Sequence, residues 1–221
     1  MKFSKPMSVI ADRLRGETSY HASTRHDLQT LTKQLEALEE LAINKSPKDT
    51  DEAHLLKLEQ AGKKLIDKRD RIKTAIEQRT RDAVLTIDGQ IREALEMKAT
   101  PFSNEIRSAL RAMSPNDRKS AIQKAIASRD GGFFKAIEEA PAMLSGMDKQ
   151  AQSEAVESYM RTHASDLMKQ SDQVVEAFTS SMDALRIPKR AVEEGVNPGK
   201  LREIKDAEQR HMEAQQRFDE S

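Results

Sequence analysis

One spacing in this chain could hold a metal ion: Glu208-Gln209-Arg210-His211, where a carboxylate and an imidazole three residues apart leave a helix on the same side. A dinuclear bundle site needs a second such pair and two further inward glutamates. The echo at Asp51-Glu52-Ala53-His54 sits at a helix start beside a loop, and the leucine seams of the long helices offer no inward carboxylate. His211 is therefore read as part of an apolar helix face, and no metal or other cofactor is expected.

Covalent and acid–base chemistry find no better footing. His21, His26, His54, His163 and His211 are scattered over helical segments, with no Gly-x-Ser-x-Gly elbow near them. The chain has no cysteine, which excludes disulfides, thiolate zinc sites and a thiol nucleophile. Gly131-Gly132 is followed by Phe133 and Phe134 rather than by a lysine and a hydroxyl residue, so it reads as a helix terminator and not as a phosphate cradle. A non-enzymatic protein is expected, with an unrecognised helical-bundle enzyme as the last alternative.

Phosphate binding has one candidate. Lys63, Lys64, Lys68, Arg69, Arg71, Lys73, Arg79 and Arg81 lie within one stretch against Asp67, Asp70 and Glu77, eight bases to three acids. Acids one helical turn away offset several of these charges, and no aromatic side chains interleave for base stacking. The whole chain is neutral, with 37 basic and 37 acidic residues, so no global field steers it to nucleic acid or an anionic membrane. A solvated or helix-paired face is the preferred reading, and a nucleic-acid-associated accessory protein is the alternative.

The elements that would position these residues are helices. Helix-favouring residues dominate, β-branched and aromatic ones are sparse, and 33% of residues are charged, which describes an all-α, elongated protein rather than one with a thick core. The organising stretch is Asp51 to Lys98, a single helix roughly 70 Å long at 1.5 Å per residue. Residues 1–19 read as an N-terminal arm interrupted by Pro6 and Gly16. Leu28, Leu31, Leu35 and Leu38 recur at three-four spacing, and the break at Ser46-Pro47 folds their helix back as an antiparallel coiled-coil hairpin over residues 20–98, with Leu55, Leu58 and Leu65 as the facing seam.

The second half of the long helix has no partner in that hairpin. Ile87, Ile91 and Leu95 are therefore expected to meet a later helix or another subunit, together with Phe133, Phe134, Met143 and Leu144 from a cluster of short helices over residues 99–147. Residues 148–221 read as a second long helix to Arg186, stopped by Ile187-Pro188, then a break at Val196-Asn197-Pro198-Gly199 and a terminal helix carrying Leu201, Ile204, Ala207, His211, Ala214 and Phe218 on one face. No apolar run approaches the ~20 residues needed to span a bilayer, and the N-terminus lacks a signal-peptide core, so no membrane partner is expected.

The segment Asn104-Glu105-Ile106-Arg107-Ser108-Ala109-Leu110-Arg111, then Ser114-Pro115-Asn116-Asp117-Arg118, Asp130-Gly131 and Ala140-Pro141-Ala142-Met143-Leu144-Ser145-Gly146-Met147, resembles a pattern in small helical proteins of tailed bacteriophages and prophages. The resemblance covers residues 103–160, and Asp130-Gly131 stands where those proteins carry Gly-Asp. It implies a viral origin more than an activity; with no catalytic constellation beside it, the expected protein is a structural or assembly component of a phage particle, in the bacterial cytoplasm or the virion, contacting copies of itself or other virion proteins.

Overall fold

The computed structural model describes every residue except 1, 2, 15, 17, 196, 197, 220 and 221; Val196 and Asn197 of the expected terminal break thus lie outside the described residues. Among the described residues the chain is all-α, with no strand. Its helices are α1 (Ser4–Arg13), α2 (Ser19–Ile43), α3 (Asp51–Ala94), α4 (Ser103–Ala112), α5 (Pro115–Ala127), α6 (Gly131–Glu138), a 3-10 turn (Ala142–Ser145), α7 (Lys149–His163), α8 (Ser165–Ala184), α9 (Ile187–Gly195) and α10 (Pro198–Asp219). They form two compact units, Met1–Thr80 with Val175–Ser221, and Arg81–Val174. Both divisions fall inside helices, α3 and α8, whereas the sequence places boundaries in the breaks near residues 98 and 147.

In the first unit α2 and α3 run antiparallel. The Tyr20 hydroxyl lies 3.0 Å from that of Thr80, Asp27 pairs with Arg79, and beside the loop Lys45 pairs with Asp51 at 2.5 Å. Leu28, Leu31 and Leu35 are fully buried, with Leu38, Leu58, Leu65, Ile72 and Ile76. Leu55 is only half-buried, because His54 takes the inward position one residue earlier. The stretch read as an arm is instead largely helical: α1 packs on α2 through Met7 and Ala11, both buried. Glu39 of α2 closes its N-terminus, accepting from the backbone N–H groups of Phe3 and Ser4 and, at 2.7 Å, from the Ser4 hydroxyl. A carboxylate there satisfies orphan donors and the positive helix end together. α8 ends at Ala184, just before Ile187-Pro188, and Pro188 then sits in the first turn of α9, where a proline removes no intrahelical bond.

In the second unit, helix ends decide the architecture. Three closures share the Schellman pattern of paired backbone bonds. The N–H groups of Met97 and Glu96 bond the carbonyls of Arg92 and Glu93, those of Asp130 and Arg129 bond Ala125 and Ile126, and those of Met147 and Gly146 bond Ala142 and Met143. The left-handed residues are Glu96 (φ 51°), Arg129 (φ 55°) and Gly146 (φ 66°). α3 therefore stops at Ala94, short of Lys98. Gly131-Gly132, expected to end a helix, instead begins α6, with the Asp130 carboxylate accepting from the Phe133 N–H at 2.9 Å.

The expected single helix from 148 to 186 breaks at Ala164 (φ −133°, ψ 38°) into α7 and α8. Two contacts hold the break. His163 Nε2 lies 2.7 Å from the Ile126 carbonyl oxygen, and Arg161 reaches Asp172 at 3.0 Å. Residues eleven apart on a straight helix are separated by about 16 Å along its axis, so the second contact requires the bend.

Candidate functional site

The metal-like spacings are not assembled into a site. Glu208 and His211 are exposed on α10, and Asp51 is held by Lys45, whose hydrogen bond keeps that carboxyl below the usual range. Among the described residues no group of three or more His, Asp or Glu side chains converges as metal ligands would. His21 is buried with Nδ1 2.7 Å from the Thr18 hydroxyl, and His163 is engaged by the Ile126 carbonyl.

Arg107, Arg118 and Arg129 close helix ends. Arg107 donates to the Ala136 carbonyl at 2.8 Å, to Glu139 at 3.1 Å and to Asn104 at 2.5 Å. Arg118 donates to the carbonyls of Leu110 (2.9 Å), Met113 (3.1 Å) and Gly146, tying the end of α4 to the end of the 3-10 turn. Arg129 donates to the Ala94 carbonyl at 3.1 Å. Guanidinium forks suit this task, since each helix end leaves several carbonyls pointing outward from one place. Sequence reasoning had no signal for these roles, because the acceptors are backbone atoms of other helices.

The expected partner seam divides. Ile87, Ile91, Leu95 and Phe134 are buried within the second unit, so no partner is required to cover them. Phe134 stacks on Tyr159 with ring centroids 4.2 Å apart, and the Tyr159 hydroxyl donates to the Leu95 carbonyl at 3.1 Å. Burial raises the Tyr159 phenol above its ordinary value. Phe133 is partly covered, while Met143 and Leu144 correct the expectation of a buried junction: Met143 is 74% exposed and Leu144 is exposed beside it. The 3-10 turn explains this, since its closure at Gly146 turns Ser145 inward and leaves both apolar side chains outside.

The basic stretch also divides. Lys63 pairs with Glu59 at 2.9 Å, Lys73 with Glu77 at 3.6 Å, Arg79 with Asp27, and Arg69 with Asp70 while its Nε donates to the Leu185 carbonyl at 2.9 Å. Arg81 is exposed. Lys64, Lys68 and Arg71, at offsets of four and three on one face of α3, have no ion-pair partner among the described residues. Four of the eight candidates are ion-paired and Arg81 lies off that face by helix periodicity, which leaves a stripe of three.

Each unit carries a concavity. In the first unit a cavity of about 240 Å³ is lined by Leu35, Leu38, Ala42, Leu58, Ala191 and Val192, with Glu39 at its edge. In the second unit a groove of about 420 Å³ runs between α5 and α7, floored by Ile122, Ile126, Met147, Ala151 and Ala155. The Ala151–Ala155 pair, one turn apart, was the one sequence signal for it. Comparison of the chain with protein-family models, with curated proteins and with solved structures finds no match in any of the three.

Proposed function

We propose that this chain is a non-enzymatic structural or assembly component of a bacteriophage particle, making helical contacts with copies of itself or with other virion proteins. The observation that carries the assembly reading is the set of large apolar side chains left outside on helices and turns: Phe102, Met143, Met212 and Phe218, the last 82% exposed. The phage setting, in the host cytoplasm or the virion, rests on the resemblance of residues 103–160 to helical phage proteins. No helix among the described residues is long and apolar enough to cross a membrane. Mass-resolved size measurement at several concentrations, with and without nuclease-treated host lysate, tests the reading. Concentration-dependent association supports it, and a monomer at every concentration that gains nothing from lysate overturns it.

The second reading, a nucleic-acid-associated accessory protein, rests on the Lys64, Lys68 and Arg71 stripe. Three uncompensated charges make a weak, salt-sensitive phosphate contact at most. A gel shift of DNA or RNA that disappears when all three are changed to glutamate supports this reading. Absence of any shift at low salt removes it.

A further inference from the structure

Resting on the self-association reading above, we propose that the α5/α7 groove receives helix α10 of a second copy of this chain. The groove carries opposite charge on its two rims. On the α5 side stand Arg118 and Lys119, and on the α7 side Asp148 and Glu154. None of the four is neutralised by an ion pair among the described residues. Arg118 spends its hydrogen bonds on three backbone carbonyls, and Lys119 has no partner among the described residues. Asp148 accepts from the Ala151 N–H at 2.7 Å and Glu154 from the Gln150 amide at 2.8 Å. An apolar floor with small side chains between two unpaired, oppositely charged rims fits an amphipathic helix with a base on one flank and an acid on the other.

α10 has that pattern. Its first turns are moored in their own unit by half-buried Leu201 and Ile204 and by the pairing of Lys205 with Glu59, whose carboxyl the Lys205 and Lys63 hydrogen bonds hold below its usual range. From Asp206 to Asp219 every residue is exposed, a stretch of roughly 20 Å. Along it Ala207, His211, Ala214 and Phe218 recur at offsets of four, three and four, with Arg210 on one flank of that stripe and Glu208 on the other. Laid stripe-down in the groove, the helix sets Arg210 against Asp148 and Glu154, and Glu208 against Arg118 and Lys119. The reverse polarity sets like charges together, so charge fixes direction. Ala151 and Ala155 leave room for the Phe218 ring, the largest exposed side chain on the stripe.

Groove and helix are different surfaces, so the contact is heterologous and a pair of copies keeps one free groove and one free α10, the arrangement that builds rings or filaments. The face offered by α10 is short and its interface falls at the small end of specific contacts, about 1,000 Å². Association is therefore concentration-dependent.

Sedimentation velocity on the full-length chain over a wide concentration range tests this, with circular dichroism to check that each variant remains helical. Lys119→Glu and Glu208→Lys both alter exposed side chains and are each expected to weaken association roughly tenfold. An equimolar mixture of the two variants pairs the unaltered α10 of one with the unaltered groove of the other, and the altered α10 with the altered groove, so it should associate again with the two variants alternating. If the wild-type chain associates and neither variant weakens it, the groove is not the receptor, although the assembly reading survives. If the double variant recovers wild-type behaviour while the mixture does not, α10 docks within its own chain and the proposal falls. A wild-type monomer at all concentrations ends this proposal, while lysate-dependent association would still support assembly with other proteins.

Discussion

Tyr159 donates its hydroxyl hydrogen to the carbonyl oxygen of Leu95 at 3.1 Å, from a ring stacked on Phe134 at the centre of the second unit. Leu95 lies just past the last residue of α3, where the helix has run out of its own donors, so the phenol supplies one that the helix lacks. Tyr159→Phe keeps the stack but leaves that carbonyl buried without this donor, and should cost about 1–2 kcal/mol in urea unfolding. Phe134→Ala removes a fully buried ring and should cost about 3–5 kcal/mol. Equal losses for the two variants would mean that the stack contributes nothing beyond the hydrogen bond.

The same phenol sets a pH dependence. Burial raises the Tyr159 pKa, so the folded state holds the proton more tightly than the unfolded chain does. That contribution is complete below the unfolded value, near pH 10, and is lost as pH rises through the higher folded value. The urea midpoint of the wild type should therefore fall more steeply above about pH 10 than that of Tyr159→Phe.

Gly131 and Gly132 should behave differently although they are adjacent. A Cβ on Gly131 would overlap the Leu95 carbonyl oxygen and stand 2.7 Å from that of Glu96, both backbone atoms that cannot swing away. Gly131→Ala should destabilise by at least about 2 kcal/mol. At Gly132 the nearest atom is 3.5 Å away, so Gly132→Ala should be neutral or raise the melting temperature slightly through helix propensity.

Glu96 occupies the left-handed region at φ 51° with an exposed side chain that makes no hydrogen bond or ion pair among the described residues. Glu96→Gly removes the clash of a Cβ in that conformation and should stabilise by about 1 kcal/mol, read as a higher denaturation midpoint. Arg129 is also left-handed, but its guanidinium serves the Ala94 carbonyl. Arg129→Gly should therefore gain less than Glu96→Gly.

Arg118 holds three carbonyls from two helix ends, and a lysine cannot reproduce the fork. Arg118→Lys should cost about 1–3 kcal/mol and should speed amide exchange at Gly146 and Met147 more than in α2. Uniform acceleration across both units would contradict a local role for this side chain.

The sequence by itself determined which face of each helix is apolar, and where most helices begin. The three-four recurrence of Leu28, Leu31 and Leu35, continued by Leu58, Leu65, Ile72, Ile76, Ile87, Ile91 and Leu95, reports burial because a helix has 3.6 residues per turn wherever it lies. Ser114 and Asp148 cap their helices, each accepting the N–H three residues on, a signal that is local to the chain. Tertiary structure alone decided what covers those faces and how the helices end. Ile87, Ile91 and Leu95 are buried by their own chain and not by a partner, because apolar burial is non-directional and any complementary face would serve. Positive φ fell on Glu96 and Arg129 instead of on the glycine pair, because α6 approaches the end of α3 so closely that Gly131 is needed for space rather than for rotation. The break at Ala164, the outward turn of Met143 and the arginine clamps depend on contacts between segments distant in the chain, to which local spacing carries no information.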